Sequence, residues 1–163
     1  MNADGTEPTR LTMEWDHPDH GRPMGGEQNP SWSPNGAKIV FGTQRHGNAD
    51  HTIYVINADG TGESRLMDSS NCGQWSCNET ELPAWSPDGA KIAFGSSNQI
   101  YVMNADGSNA THLTSGVRPS WSPTGDRIVF EHGGIYVMNA DGSNVTRIIG
   151  NDPGDNMMPA WGS

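Results

Sequence analysis

The sequence predicts an all-β chain made of β-propeller blades, each of four antiparallel strands, with three complete blades and a terminal strand at each end. Three observations carry this. A tryptophan phrase recurs four times: Pro30-Ser31-Trp32-Ser33-Pro34, Pro83-Ala84-Trp85-Ser86-Pro87, Pro119-Ser120-Trp121-Ser122-Pro123 and Pro159-Ala160-Trp161. A second phrase recurs three times, from Ile53 to Gly60, Ile100 to Gly107 and Ile135 to Gly142, and its tail also opens the chain as Met1 to Gly5. Finally, only 33% of the 163 residues are hydrophobic, while 21 are Gly and 11 Pro, which suits short strands joined by tight turns.

Internal repetition fixes the organisation. Trp32 to Trp85 is 53 residues, Trp85 to Trp121 is 36 and Trp121 to Trp161 is 40, near the roughly 40–50 residues of a propeller blade, with the first step lengthened by insertions. Residues 1–12 read as a lone fourth strand, 29–67 as blade one, 82–114 as blade two, 118–149 as blade three and 158–163 as a lone first strand.

Within a blade the first strand is short and carries the tryptophan. Ser-Pro-x-Gly then makes a tight turn, with Pro setting φ and Gly closing it. The second strand is Lys38 to Phe41, Lys91 to Phe94 or Arg127 to Phe130, and the third is the Ile-Tyr-Val run. Asn-Ala-Asp-Gly forms a hairpin corner before the fourth strand, as in Asn144 to Ile148. The two central strands are apolar on both faces, as in a sheet sandwiched between neighbouring sheets. Trp32, Trp85 and Trp121 are expected to lie buried between blades as structural residues, with Trp161 as their fourth counterpart.

Together the two phrases resemble the TolB-type, WD-like propeller repeat, and the resemblance covers nearly the whole chain outside three insertions. That repeat occurs in the periplasmic protein TolB, and related propellers occur in tricorn and prolyl-oligopeptidase peptidases. The resemblance implies a binding or gating module whose chemistry resides in other domains or special loops. The sequence has no Gly-x-Ser-x-Gly nucleophile elbow, so peptidase activity does not carry over.

The insertions are the informative departures. Met13 to Gln28, Thr43 to Asp50, Met67 to Glu81 and Gly150 to Met158 all connect strands on one face, because strand directions alternate through a blade. That face is the expected binding face, carrying Trp15, Asp16, His17, Asp19, His20, His46, Asp50, His51 and Trp75. His17, His20, His46 and His51 with neighbouring carboxylates suit zinc or manganese; the alternative is a set of solvated polar loop residues. Trp15 and Trp75 either stack on a sugar or peptide or cap the loops. The Asn-x-Asp-Gly phrases invite calcium, but Asp capping a hairpin turn explains them without metal.

Cys72 and Cys77 suggest a local disulfide, with free thiols or metal ligation as alternatives. Asn78, Asn109 and Asn144 head glycosylation sequons, the last two expected on exposed fourth strands, where Asn and Thr also suit the local turn.

A formal net charge of −10 argues against nucleic acid and acidic membranes as partners and is compatible with cations or basic partners. No apolar run reaches the ~20 residues of a membrane span, and Met1 to Gly5 is not a secretory signal. The resemblance and the candidate disulfide point to an extracellular or periplasmic site.

The expectation is a non-enzymatic interaction module that associates with itself head to tail, in a ring or a filament, and that also binds another protein or a saccharide. The alternatives are a metal-dependent enzyme acting on acidic saccharides and a peptide-binding gate cut from a larger protein.

Overall fold

The computed structural model describes residues 6, 8–12, 26–43, 52–67, 80–150 and 161. Among them are twelve strands and no helix. β1 (Gln28–Trp32), β2 (Lys38–Thr43), β3 (Thr52–Asn57) and β4 (Ser64–Met67) form the first sheet. β5 (Thr80–Trp85), β6 (Lys91–Ser96), β7 (Gln99–Asn104) and β8 (Thr111–Ser115) form the second. β9 (Val117–Trp121), β10 (Arg127–Glu131), β11 (Gly134–Asn139) and β12 (Thr146–Gly150) form the third. Each sheet pairs its strands antiparallel in chain order, as a propeller blade does.

Local chemistry explains the turns. In blade two Gly89 N–H donates to the Ser86 carbonyl at 2.9 Å, and Lys91 N–H donates to Ser86 Oγ at 2.9 Å. Asp88 Oδ1 accepts from Ser86 Oγ at 2.5 Å and from Ala90 N–H at 3.0 Å. Asn35 does the same work in blade one. In blade three the acceptor moves to Asp126, which takes bonds from the hydroxyls of Ser122 and Thr124.

At the other hairpin, Asp106 Oδ1 accepts from Ser108 N–H at 2.9 Å and from its hydroxyl at 2.6 Å, while Asn104 Nδ2 donates to Ser108 Oγ at 2.9 Å. Asp59 with Thr61 and Asp141 with Ser143 repeat the arrangement. These carboxylates are capping groups of the turns, and hydrogen bonding from Thr61, Ser108 and Ser143 holds Asp59, Asp106 and Asp141 below the usual carboxylate range.

The core lies between blades. Val40, Ile53 and Met67 of blade one meet Ile92, Phe94, Tyr101 and Met103 of blade two. On the other side of the same sheet, Ala93, Ile100 and Val102 meet Trp121, Ile128, Phe130 and Met138 of blade three. Blade two is therefore apolar on both faces because both are covered. Burial of the Tyr101 phenol, which stacks on Phe94 with centroids 5.4 Å apart, raises its pKa.

Three features depart from expectation. Trp32 is not buried between blades: it is 58% exposed, whereas Trp85 is half-buried and Trp121 is 8% exposed. Trp85 and Trp121 each pack on the blade before their own, and Trp32 has no complete described blade before it. Asn109 and Asn144 lie ahead of β8 and β12 rather than on them, with φ of 54° and 56°; Thr111 and Thr146 hydroxyls donate to their carbonyls at 3.2 Å. Their exposed side chains thus stand on turns, in the left-handed backbone that Asn tolerates. Lastly, residues 8–12 join no sheet, although Leu11 lies against Gly60.

The first strand of every blade also carries a bulge that its sequence does not announce. Asn29, Leu82 and Arg118 have φ of 53°, 49° and 56°, and each immediately precedes a proline. Each lies at a register shift in the pairing with the second strand.

Candidate functional site

Two contacts recur along the stack and define the faces a blade offers, the first of them at Trp121 and Trp161 but not at Trp85. On the inner side, Trp121 Nε1–H donates to the Ala84 carbonyl of blade two at 3.2 Å. Trp161 Nε1–H donates to the Ser120 carbonyl of blade three at 3.1 Å. Each acceptor immediately precedes the tryptophan of its own blade, so the contact moves along the chain one repeat at a time. The Trp85 indole N–H is buried without a hydrogen-bond partner among the described residues.

On the outer side, the turn glycine of each blade packs on a leucine that precedes that blade in the chain. Gly60 meets Leu11, Gly107 meets Leu66 and Gly142 meets Leu113. At Gly107 a side chain is excluded twice over: φ is +85°, and a Cβ would fall inside contact distance of the Leu66 carbonyl oxygen.

The outward surfaces of the end blades keep apolar side chains in water. Trp32 is exposed on blade one, and Val145, Ile148 and Ile149 are 45%, 58% and 49% exposed on blade three. Trp161 is 36% exposed. Ile148 is the counterpart of Leu66 and Leu113, which pack against the inter-blade cores.

On the side of the long insertions, the described connections are short. Ser97-Asn98 turns β6 into β7, His132-Gly133 turns β10 into β11, and Gly116 alone joins β8 to β9. Arg118 pairs with Glu131 at 2.9 Å, both side chains being partly exposed. His112 Nε2 and Gln99 Oε1 are 2.7 Å apart, and Arg147 donates to the Gly133 carbonyl at 3.2 Å. The opposite, turn-bearing side has a groove of about 480 Å³ between blades two and three, walled by Asp88, Lys91, Asn109, Trp121 and Asp141. A groove of similar size recurs between blades one and two, so it belongs to blade spacing.

All nine residues of the expected binding face lie outside the described residues: Trp15, Asp16, His17, Asp19, His20, His46, Asp50, His51 and Trp75. So do Cys72, Cys77 and the sequon asparagine Asn78. Among the described residues no group of three or more His, Cys, Asp or Glu is placed to hold a metal ion. The Trp–carbonyl relay and the glycine–leucine seat were not foreseen; the recurrence of Leu11, Leu66 and Leu113 nine residues after each Asn of Asn-Ala-Asp-Gly was the signal available.

Sheet order, the shared inter-blade cores and the two repeating contacts define a β-propeller protein built of tandem four-stranded blades. A family profile described as the TolB beta propeller domain matches residues 20–134, more than half of the chain, and the chain belongs to that family. The uncharacterized protein Atu1656 of Agrobacterium fabrum is 30% identical over 149 residues, covering 80% of this chain and 45% of that protein. The Tol-Pal system protein TolB of Anaeromyxobacter dehalogenans is 35% identical over 100 residues, covering 59% of this chain and 21% of its own. The solved structure of TolB from Acinetobacter baumannii aligns with a TM-score of 0.62 at 20% identity, over 75% of this chain and 32% of that one. The chain spans less than half the length of these relatives.

Proposed function

We propose that this chain is a non-enzymatic interaction and assembly module of the TolB-type propeller family, associating head to tail with further copies of itself. The observation that carries this reading is the contrast at the tryptophan position: 8% exposure for Trp121 inside the stack against 58% for Trp32 at its front. Apolar sheet faces left in water drive association. Front meeting back is a heterologous contact, which closes into a ring or runs on as a filament according to the rotation per copy. The long-loop side is the surface for a second protein or a saccharide, on the strength of its concentrated tryptophan and histidine. The resemblance to TolB supports a place outside the cytoplasm.

Light scattering and electron microscopy across micromolar concentrations test the assembly. Species above 17.5 kDa that grow with concentration and shrink with Trp32→Ala are expected. A monodisperse monomer at every concentration, in this chain and in variants with the end faces opened, overturns it.

A second reading is favoured by the chain spanning only 45% of its Agrobacterium fabrum relative. In it, further blades of one longer polypeptide cover the same end faces. The mass of the natural product separates the two.

A further inference from the structure

We propose that head-to-tail association reuses the internal blade contact, with Trp32 of a second copy donating its indole N–H to the Ser120 carbonyl oxygen and displacing Trp161 from it. This rests on the assembly reading above and names its surface, its occupant and its internal competitor. The template is inside the chain. Blade two offers blade three the carbonyl that precedes its own tryptophan, and Trp121 takes it at 3.2 Å. The matching carbonyl of blade three is that of Ser120, and Trp161 takes it at 3.1 Å. The two tryptophans make the same bond but not the same contact: Trp121 is 8% exposed and Trp161 36%. Trp161 therefore occupies the acceptor with more of its ring in water, while Trp32, the residue built for that place on a blade's front, is 58% exposed.

The outer half of the face has a placeholder of the same kind. Leu66 and Leu113 are seated against Gly107 and Gly142, and Leu11 against Gly60. The next leucine-type position along the stack is Ile148, which is 58% exposed. Stacking the front of blade one of a second copy on the back of blade three brings Trp32 to Ser120 and Gly60 to Ile148, with Leu11 giving way as Trp161 does. Both halves then repeat, position for position, the junction between blades two and three, where the indole bond is made; at the junction between blades one and two the Trp85 N–H has no partner among the described residues. That continuity identifies the occupant as a second copy of this chain. Trp161 and Leu11 compete with association by holding its sites within one molecule.

Sedimentation equilibrium on the full chain, with Trp161→Ala, Trp32→Ala and Trp32→Phe, tests this. Trp161→Ala is expected to tighten self-association about tenfold, and Trp32→Ala to weaken it about tenfold, as for an interface tryptophan. Trp32→Phe keeps an aromatic ring without the donor and falls between. In protein labelled with 5-fluorotryptophan, the Trp161 fluorine resonance, assigned by its loss in Trp161→Ala, moves toward that of free indole in water as concentration rises. If Trp161→Ala does not tighten association and the resonance stays fixed, the competition is overturned while assembly stands. If the Trp32 variants associate like the parent, the surface is wrong and assembly again stands. If no variant associates, Trp161→Ala included, both readings fall.

Discussion

Trp121 and Trp32 sit in the same Pro-Ser-Trp-Ser-Pro phrase, yet Trp121 is 8% exposed and Trp32 is 58% exposed. Their own strands do not separate them; what lies opposite does. Blade two presents Ala84, Ala93, Ile100 and Val102 to the Trp121 side of blade three. At the front of blade one, Leu11 against Gly60 gives a described contact on the outer side, and Trp32 on the inner side stays in water. A blade is thus half of two cores rather than the owner of one, and only a blade with neighbours on both sides is complete.

The comparison breaks most readily at blade two. Phe94 is fully buried in the junction with blade one. Phe94→Ala is expected to cost about 3–5 kcal/mol in denaturant melts. A loss under about 1 kcal/mol would mean that the two blades do not share that core.

The tryptophans sharpen it. Trp121→Ala loses both burial and the Ala84 hydrogen bond, and is expected to cost about 3 kcal/mol. Trp32→Ala, measured where the chain is dilute, is expected to cost less than about 1 kcal/mol. Equal losses would show that Trp32 is covered in solution.

Gly107→Ala probes the outer half of the same junction. It puts a side chain at φ +85° against the Leu66 carbonyl, and about 1–2 kcal/mol of destabilisation is expected from backbone strain. Gly36 has open space where a methyl group would stand, so Gly36→Ala meets only the conformational cost of φ +68° and should be the milder change.

The smallest effect is electrostatic. Asp59, Asp106 and Asp141 have folded pKa values lowered by hydrogen bonds from Thr61, Ser108 and Ser143. A lowered carboxylate stabilises the fold above its ordinary titration, and that contribution disappears as pH falls through the lowered value. Thermal melts should therefore be flat above about pH 5 and fall below about pH 4. The fall should be shallower in Asp106→Asn with Asp141→Asn; an unchanged slope would show that these caps are uncoupled from folding.

The strands and turns were legible because their causes are local. Ser-Pro-x-Gly and Asn-Ala-Asp-Gly carry their own hydrogen-bonding groups, and the apolar runs at Ile92 to Phe94 and Ile100 to Met103 announce a sheet covered on both faces. Exposure at Trp32 was not legible, because an identical phrase serves a covered and an uncovered position and only the neighbour decides. The bulge at Arg118 was hidden for a different reason: a left-handed residue before proline runs against ordinary backbone preference and is imposed by pairing with β10. The histidine loops have no period and no ligand spacing, so His17, His20, His46 and His51 remained a set of suitable donors without a geometry.

The handing of one indole N–H to the carbonyl of the preceding repeat has a consequence for ancestry. Blade three carries a donor on its front, Trp121, and an acceptor on its back, the Ser120 carbonyl, so the unit has a sense, like a link in a chain. Duplicating or deleting one such unit within the gene lengthens or shortens the stack without requiring any new kind of interface. The donor of the inserted copy finds the acceptor already waiting, and supplies the same acceptor to whatever follows. The stability of such a stack then resides in the joint between repeats, where the shared apolar cores form, rather than in the single repeat.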